Sequence, residues 1–116
     1  MPAELRPSQA LRLWHDVIMD LVHEPGADLS PRQQAILLTV YLEPPPHTVR
    51  GLAEKLGVTK PVITRALDTM GRMGLLTRRH DPNDRRNVMV QRTLAGSIAV
   101  ERLGDAIVRR HSGLPL

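Results

Sequence analysis

Apolar side chains recur along this chain at helical spacing for most of its length, and the spacing gives way to alternation in one short stretch near residues 75–92. In the first segment Leu11, Trp14, Ile18, Leu21 and Val22 form one stripe, which Leu13 and Val17 widen. The pattern predicts a helix over residues 8–24 with Ser8 as its cap and Pro25-Gly26 as its stop. An apolar arc that broad predicts contact with more than one neighbour, a second subunit among them. The run Ser30-Pro31-Arg32-Gln33 then combines a serine cap, a proline at the first helical position and a glutamine placed to complete a capping box. The helix it starts is expected to reach about Leu42. Its Ala35, Ile36, Leu37, Leu38, Val40 and Leu42 leave little polar surface, which predicts the buried central element. Pro44, Pro45 and Pro46 forbid its continuation.

Two short amphipathic helices follow. Thr48 caps the first, whose Val49, Leu52, Ala53 and Leu56 fall at i, i+3, i+4 and i+7, and Gly57 supplies a left-handed stop. After Val58, Thr59 caps the second, with Pro61 tolerated in its first turn and Ile63, Ala66, Leu67 and Met70 repeating the spacing. The pair reads as a helix-turn-helix. Gly71 and Gly74 bracket its end, and Leu75 to His80 reads as a strand. Asp81-Pro82-Asn83-Asp84 is dense in turn formers, and Val88 and Val90 alternate with polar residues in a second strand. A last helix is expected from Thr93 to about Arg110, with Val100, Leu103 and Ile107 on one side and Asp105 paired to Arg109 one turn on. Gly96 and Gly104 weaken that helix in isolation and permit close approach of a neighbour. The order of elements predicts a mainly α fold with a small antiparallel β-hairpin. Residues 30–93 form a winged helix-turn-helix, residues 8–24 and 94–111 form flanking helices, and residues 1–116 make one domain.

Composition narrows the chemistry. The chain has no cysteine, which removes disulfides, thiol catalysis and thiolate metal sites. No apolar run approaches the roughly eighteen residues that span a bilayer, and no basic segment followed by an apolar stretch opens the chain, so a cytoplasmic protein without membrane association is expected. The net charge of +4 is unevenly spread. Residues 1–47 are net −3 and residues 94–116 net +1. Between them Arg50, Lys55, Lys60, Arg65, Arg72, Arg78, Arg79, Arg85, Arg86 and Arg92 meet only Glu54, Asp68, Asp81 and Asp84, a net of +6. A concentrated basic segment is the footprint of a phosphate binder, although a solvated basic face has the same composition. Single strands and RNA loops are read by stacking on aromatic rings, and Trp14 and Tyr41 both lie outside the basic segment. Duplex DNA is the expected partner.

The helical spacing also selects the residues that face it. With Ile63, Ala66, Leu67 and Met70 inward, Lys60, Pro61, Thr64, Arg65 and Asp68 point outward near the helix N-terminus, the end a recognition helix presents to the major groove. Arg65 can bridge the edge of a guanine, Thr64 can contact a base or a thymine methyl, and Lys60 or Thr59 can hold phosphate. On the hairpin, Arg85 and Arg86 can enter a narrow minor groove, with Asp84 holding an arginine in a fixed pose.

The segment TVRGLAEKLGVTKPVITRALDTMGRMGLLTRR, the wing DPNDRR and the closing threonine and glycine of RTLAG resemble the DNA-binding core of the MarR family over Thr48–Gly96, with Leu29–Leu42 resembling the preceding helix more loosely. The resemblance implies a homodimeric transcriptional regulator in which Arg86 is the minor-groove arginine, Asp84 the wing anchor, and Thr64 and Arg65 recognition-helix contacts. Two departures stand out. Arg92 occupies a position that is usually aliphatic in the family, which predicts a more exposed second wing strand. One C-terminal helix is found where the family usually has two, so dimerisation falls to the first and last helices through Leu11, Trp14, Ile18, Leu103 and Ile107, and the family's pocket for a small-molecule effector loses support.

Catalysis finds no constellation. His15, His23, His47, His80 and His111 are scattered without metal-ligand spacing, Asp16 and Asp20 lack a third partner, and no glycine-rich phosphate loop or nucleophile motif occurs. Neither a cofactor nor a metal is expected. The competing class is a winged-helix protein-interaction or architectural module, which would not need Lys60, Arg65, Arg85 and Arg86 together.

Overall fold

The computed structural model describes residues 4–24 and 28–114. They form helices α1 (Pro7–His23), α2 (Pro31–Leu42), α3 (Val49–Leu56), α4 (Lys60–Arg72) and α5 (Leu94–Ser112), with strands β1 (His47–Thr48), β2 (Leu76–Asp81) and β3 (Asp84–Arg92). The chain divides into two compact units, one over Leu29–Val100 and one made by residues 1–28 and 101–116, so that α5 begins in the first and ends in the second.

In the first unit the helix boundaries follow local chemistry. Ser30 Oγ accepts from the Gln33 amide at 3.1 Å while Gln33 Oε1 accepts from the Ser30 amide at 2.8 Å, the reciprocal box expected from the sequence. Thr48 Oγ1 caps α3 through the Gly51 amide at 2.9 Å, and Gly57 closes the helix at φ 69°. Thr59 occupies the N-cap position of α4 with extended backbone, yet its side chain makes no capping bond; its carbonyl alone accepts from Val62 and Ile63. The core gathers Ile36, Leu37 and Val40 of α2, Val49, Leu52 and Ala53 of α3, and Ile63, Ala66, Leu67 and Met70 of α4 under Leu76 and Val90 of the sheet. The buried face of α2 is narrower than its composition suggested, because Ala35 is exposed and Leu42 is 73% exposed.

The hairpin is part of a three-stranded antiparallel sheet in the order β1-β3-β2. The two-residue strand His47–Thr48 pairs with Val90 and Met89, an element too short to show any alternation in sequence. The first wing strand starts at Leu76 rather than Leu75, and its register pairs Leu76 with Arg92, Arg78 with Val90 and His80 with Val88. Arg92 is exposed at the end of β3, of which only Val90 is buried, yet its side chain is held. Its guanidinium donates to the carbonyls of Val40 (2.8 Å) and Glu43 (3.1 Å) and lies 5.8 Å from the centre of the Tyr41 ring. A cation thus closes the carbonyl end of α2, where unpaired carbonyls and the helix dipole both favour it.

Thr93 and Tyr41 tie this sheet to the start of α5. Thr93 Oγ1 donates to the Gly74 carbonyl at 2.6 Å and accepts from the Gly96 amide at 2.9 Å, while the Tyr41 hydroxyl accepts from the Thr93 amide at 2.9 Å and donates to the Leu75 carbonyl at 2.9 Å. A Cβ at Gly96 would collide with that hydroxyl and with the Leu75 carbonyl, so the close approach expected of Gly96 is present. At Gly104 no atom of the described residues comes within 4 Å of a built Cβ.

In the second unit α1 begins one residue before Ser8, with Pro7 in its first turn and Gln9 Oε1 accepting from the Arg6 amide at 2.9 Å. Proline has no N–H to leave unpaired at that position, which makes it the better start. Glu24 is the C-cap, and Pro25-Gly26 lies outside the described residues. Val17 and Ala106 are this unit's buried apolar residues among those described. The expected Asp105–Arg109 pair is replaced: Arg110 grips Asp20 through Nε (2.8 Å) and Nη2 (2.5 Å), and Arg109 lies 3.7 Å from the same carboxylate. Asp20 is therefore the anchor between α1 and the end of α5 rather than part of a solvated carboxylate pair. Asp16 is paired as well, with His15 at 2.9 Å and Arg12 at 3.8 Å.

Candidate nucleic-acid interface

The outer surface of α4 is set by its inner one. Ile63 and Met70 have no exposed surface and Leu67 almost none, which turns Lys60, Pro61, Thr64 and Arg65 to solvent on the first two turns. Thr59, at the N-cap with its hydroxyl uncommitted to capping, stands beside them. Neither Lys60 nor Arg65 takes part in an ion pair among the described residues. Asp68, one turn beyond Thr64, binds Arg78 of β2 at 2.6 Å.

The wing is organised by two carboxylates with different tasks. Asp81 Oδ1 accepts from the Asn83 amide at 2.9 Å and its Oδ2 from the Asn87 side chain at 3.2 Å, which closes the Pro82-Asn83 turn. The Asn83 amide first, then the Asn87 amide group, hold the Asp81 carboxyl below its ordinary range, so it stays ionised in the turn. Asp84 Oδ1 accepts from the backbone amide of Arg86 at 3.0 Å rather than from an arginine side chain. Its hold is on the main chain, and the exposed guanidinium groups of Arg85 and Arg86 form no ion pair among the described residues. His80 adds a second hold: its Nδ1 is 2.9 Å from the Arg85 carbonyl.

The basic segment thus sorts into committed and uncommitted cations. Lys55 is bound to Glu43 at 2.6 Å, Arg78 to Asp68, and Arg92 to the end of α2. Lys60, Arg65, Arg85 and Arg86 project from one unit, on the recognition-type helix and on the ribbon that follows it; Arg50 and Arg79 are likewise in no ion pair among the described residues, and Arg72 reaches Thr69 Oγ1 at 3.4 Å. Sequence spacing selected these four but missed the three committed ones, whose partners lie ten to fifty residues away. One signal was available for two of them, since Arg78 and Arg92 fall in register with Leu76 and Val90, the apolar row of the hairpin.

The residues expected at a dimer interface belong to the other unit, where Leu11 is 70% and Trp14 54% exposed and Ile18 and Ile107 are also exposed. Leu103 is half-buried and lines an open cleft of about 370 Å³ with Asp20, Leu21, Ala106 and Arg109. No group of three or more His, Asp or Glu side chains among the described residues could hold a metal ion, and no helix among them is long and apolar enough to cross a membrane.

Comparison with known proteins places this geometry. The chain is similar to the transcriptional regulator Tm0710 from Thermotoga maritima, with 26% identity and a TM-score of 0.63 over 91% of this chain and 66% of that one. It therefore spans about two thirds of that protein's length. It is equally similar to the PcaV transcriptional regulator from Streptomyces coelicolor, whose structure contains its natural ligand, at 26% identity and a TM-score of 0.64 over 95% and 80% of the two chains. The fold is also that of the transcriptional repressor CouR bound to a 23-mer DNA duplex, at 24% identity, a TM-score of 0.71, and 96% and 84% coverage. The model of the MarR family matches residues 29–88, which contain all of α2 to α4, the turn of the wing and its arginines. This chain belongs to the MarR family of winged helix-turn-helix transcriptional regulators.

Proposed function

We propose that the chain regulates transcription in the cytoplasm by binding double-stranded DNA as a homodimer, with α4 in the major groove and the wing in the flanking minor groove. The observation that carries this reading is the set of exposed cations Lys60, Arg65, Arg85 and Arg86 on α4 and β3 of one unit, none in an ion pair among the described residues, while Lys55, Arg78 and Arg92 of the same basic segment are bound internally. Thr64 and Arg65 read base edges, and Thr59, Lys60 and Pro61 meet the backbone at the helix N-terminus, where free amides favour phosphate. Arg86, helped by Arg85, enters the minor groove, and Asp84 fixes the main chain that carries it. The DNA duplex of the CouR structure is the precedent within the fold. Leu11, Trp14 and Ile18 of α1 with Leu103 and Ile107 of α5 supply the dimer contact, since one copy leaves this face uncovered. A small-molecule effector, as the natural ligand of PcaV suggests, would act on that dimer.

The test is equilibrium titration of duplex DNA across a salt series. Log affinity should fall linearly with log salt as counterions are released. Salt-independent affinity, or no duplex binding at low salt, removes the reading. Asp84→Ala discriminates within it: an anchor, once lost, weakens binding in the manner of Arg86→Ala, whereas a repelling surface carboxylate, once lost, tightens binding on every sequence.

A further inference from the structure

Cross-strand partners in an antiparallel pair point to one side of the sheet. Leu76, Arg78 and His80 of β2 therefore share a face with Val88, Val90 and Arg92 of β3, and Leu76 and Val90 show that it is the face turned to the core. In this row Arg78 follows buried Leu76 and lies across from buried Val90, at the edge where the row passes from core to surface. Its guanidinium leaves the sheet toward α4 and meets Asp68 at 2.6 Å, with the Arg78 side chain about one third exposed. Asp68 lies one turn after Thr64 and three residues after Arg65, on the same outward side of the helix. The bridge joins α4, which carries Lys60 and Arg65, to β2, the strand paired with the β3 that carries Arg85 and Arg86, and among the described residues it is the ion pair between α4 and this hairpin.

We propose that Asp68 and Arg78 form a strut that sets the pose of the wing against α4, making both positioning residues for DNA reading and withdrawing Arg78 from phosphate. The strut has a second consequence. A carboxylate on the outward side of a recognition helix would repel the DNA backbone, and pairing with a guanidinium cancels that charge without removing the hold on the wing. An exposed pair of this kind adds little to folding. Its value lies in geometry, because two reading heads engage one duplex together only if their separation matches the distance between adjoining grooves.

This inference rests on the DNA-binding reading, and one experiment separates their failures. A duplex selected from a random library by the wild-type protein, and a scrambled duplex of the same length, are titrated across a salt series with the wild type, Asp68→Asn, Arg78→Ala and the double variant. Circular dichroism melting checks each fold, and Asp68→Asn preserves the side chain's size. If the pair is a strut, each single substitution lowers the ratio of specific to nonspecific affinity roughly three- to ten-fold, and the double variant is no worse than either single, as coupled partners require. The salt slope of Arg78→Ala stays at the wild-type value. If Arg78 is instead a phosphate contact, Arg78→Ala lowers the slope by about 0.9, Asp68→Asn tightens both duplexes, and the proposal is overturned. Unchanged ratios in both single variants overturn it equally. Failure of the wild type to bind any duplex at low salt overturns the DNA-binding reading itself.

Discussion

Helices α1 and α4 carry the same kind of apolar stripe and put it to opposite use. In α4 the stripe is Ile63, Ala66, Leu67 and Met70, and every member is buried within the chain under α2, α3 and the sheet. In α1 only Val17 is buried, while Leu11, Trp14, Ile18, Met19 and Val22 remain exposed. Amphipathic spacing states that a face is to be covered and says nothing of what covers it. For α4 the cover is the chain itself, and the polar side left over is the surface that the proposed function assigns to DNA. For α1 the apolar side is the surface on offer, which is why the dimer is assigned to it.

The comparison fixes where substitutions should act, and the largest effects belong to buried positions. Ile63→Ala and Met70→Ala should each cost about 2–5 kcal/mol of stability, read from urea unfolding, because they open cavities in a core that cannot collapse around them. A loss below about half a kcal/mol would show that the stripe of α4 is less completely packed than its burial states. Gly96→Ala should also destabilise, by about 1–3 kcal/mol or more, since the new methyl group strikes the Tyr41 hydroxyl and the Leu75 carbonyl. Pairing it with Tyr41→Phe should recover part of the loss.

The outward side of α4 should respond in binding and not in folding. Arg65→Ala should weaken the specific duplex by about 1–3 kcal/mol and relax one base position, with melting unchanged. Arg86→Ala should weaken binding most on A·T-rich flanks, where the minor groove is narrow and its potential strongest. If Arg86→Ala loses equally on all flanks, the wing is holding phosphate and reading nothing.

On α1 the opposite signature is expected. Leu11→Glu and Trp14→Glu should leave the urea unfolding of the Leu29–Val100 unit within about half a kcal/mol while converting dimers to monomers in sedimentation. A wild-type monomer at high concentration would break the comparison, leaving the exposed stripe without an occupant.

The smallest effect concerns Asp20, whose carboxyl is held below its ordinary range first by the hydrogen bond from Arg110 and then by the charges of Arg110 and Arg109. A group whose folded value is depressed contributes stability that is complete above its unfolded value, near about pH 4, and is lost as pH falls through the folded one. The stability gap between wild type and Asp20→Asn should be constant from neutral pH down to about pH 5 and should close below about pH 4. A gap that persists at low pH would mean that Arg110 is held by packing rather than by the charge on Asp20.

Much of the molecule was legible because it is governed locally. The Ser30–Gln33 box, the Thr48 cap, the Gly57 stop and the inward row of α4 each follow from residues within one or two turns of each other, and helix chemistry acts at that range. The same range explains why Lys60, Thr64 and Arg65 could be selected, since outward positions are the complement of inward ones. The tertiary structure alone decided which charges are spent. Arg92 closes α2 from fifty residues away, Arg78 meets Asp68 across the gap between strand and helix, and Arg110 takes Asp20 across ninety residues, displacing the local Asp105–Arg109 pair. A long guanidinium side chain reaches whatever carboxylate or helix end the fold brings near it, and sequence separation carries no information about that distance. It also decided that β1 exists, because two residues show no alternation and become a strand only when Val90 and Met89 lie beside them.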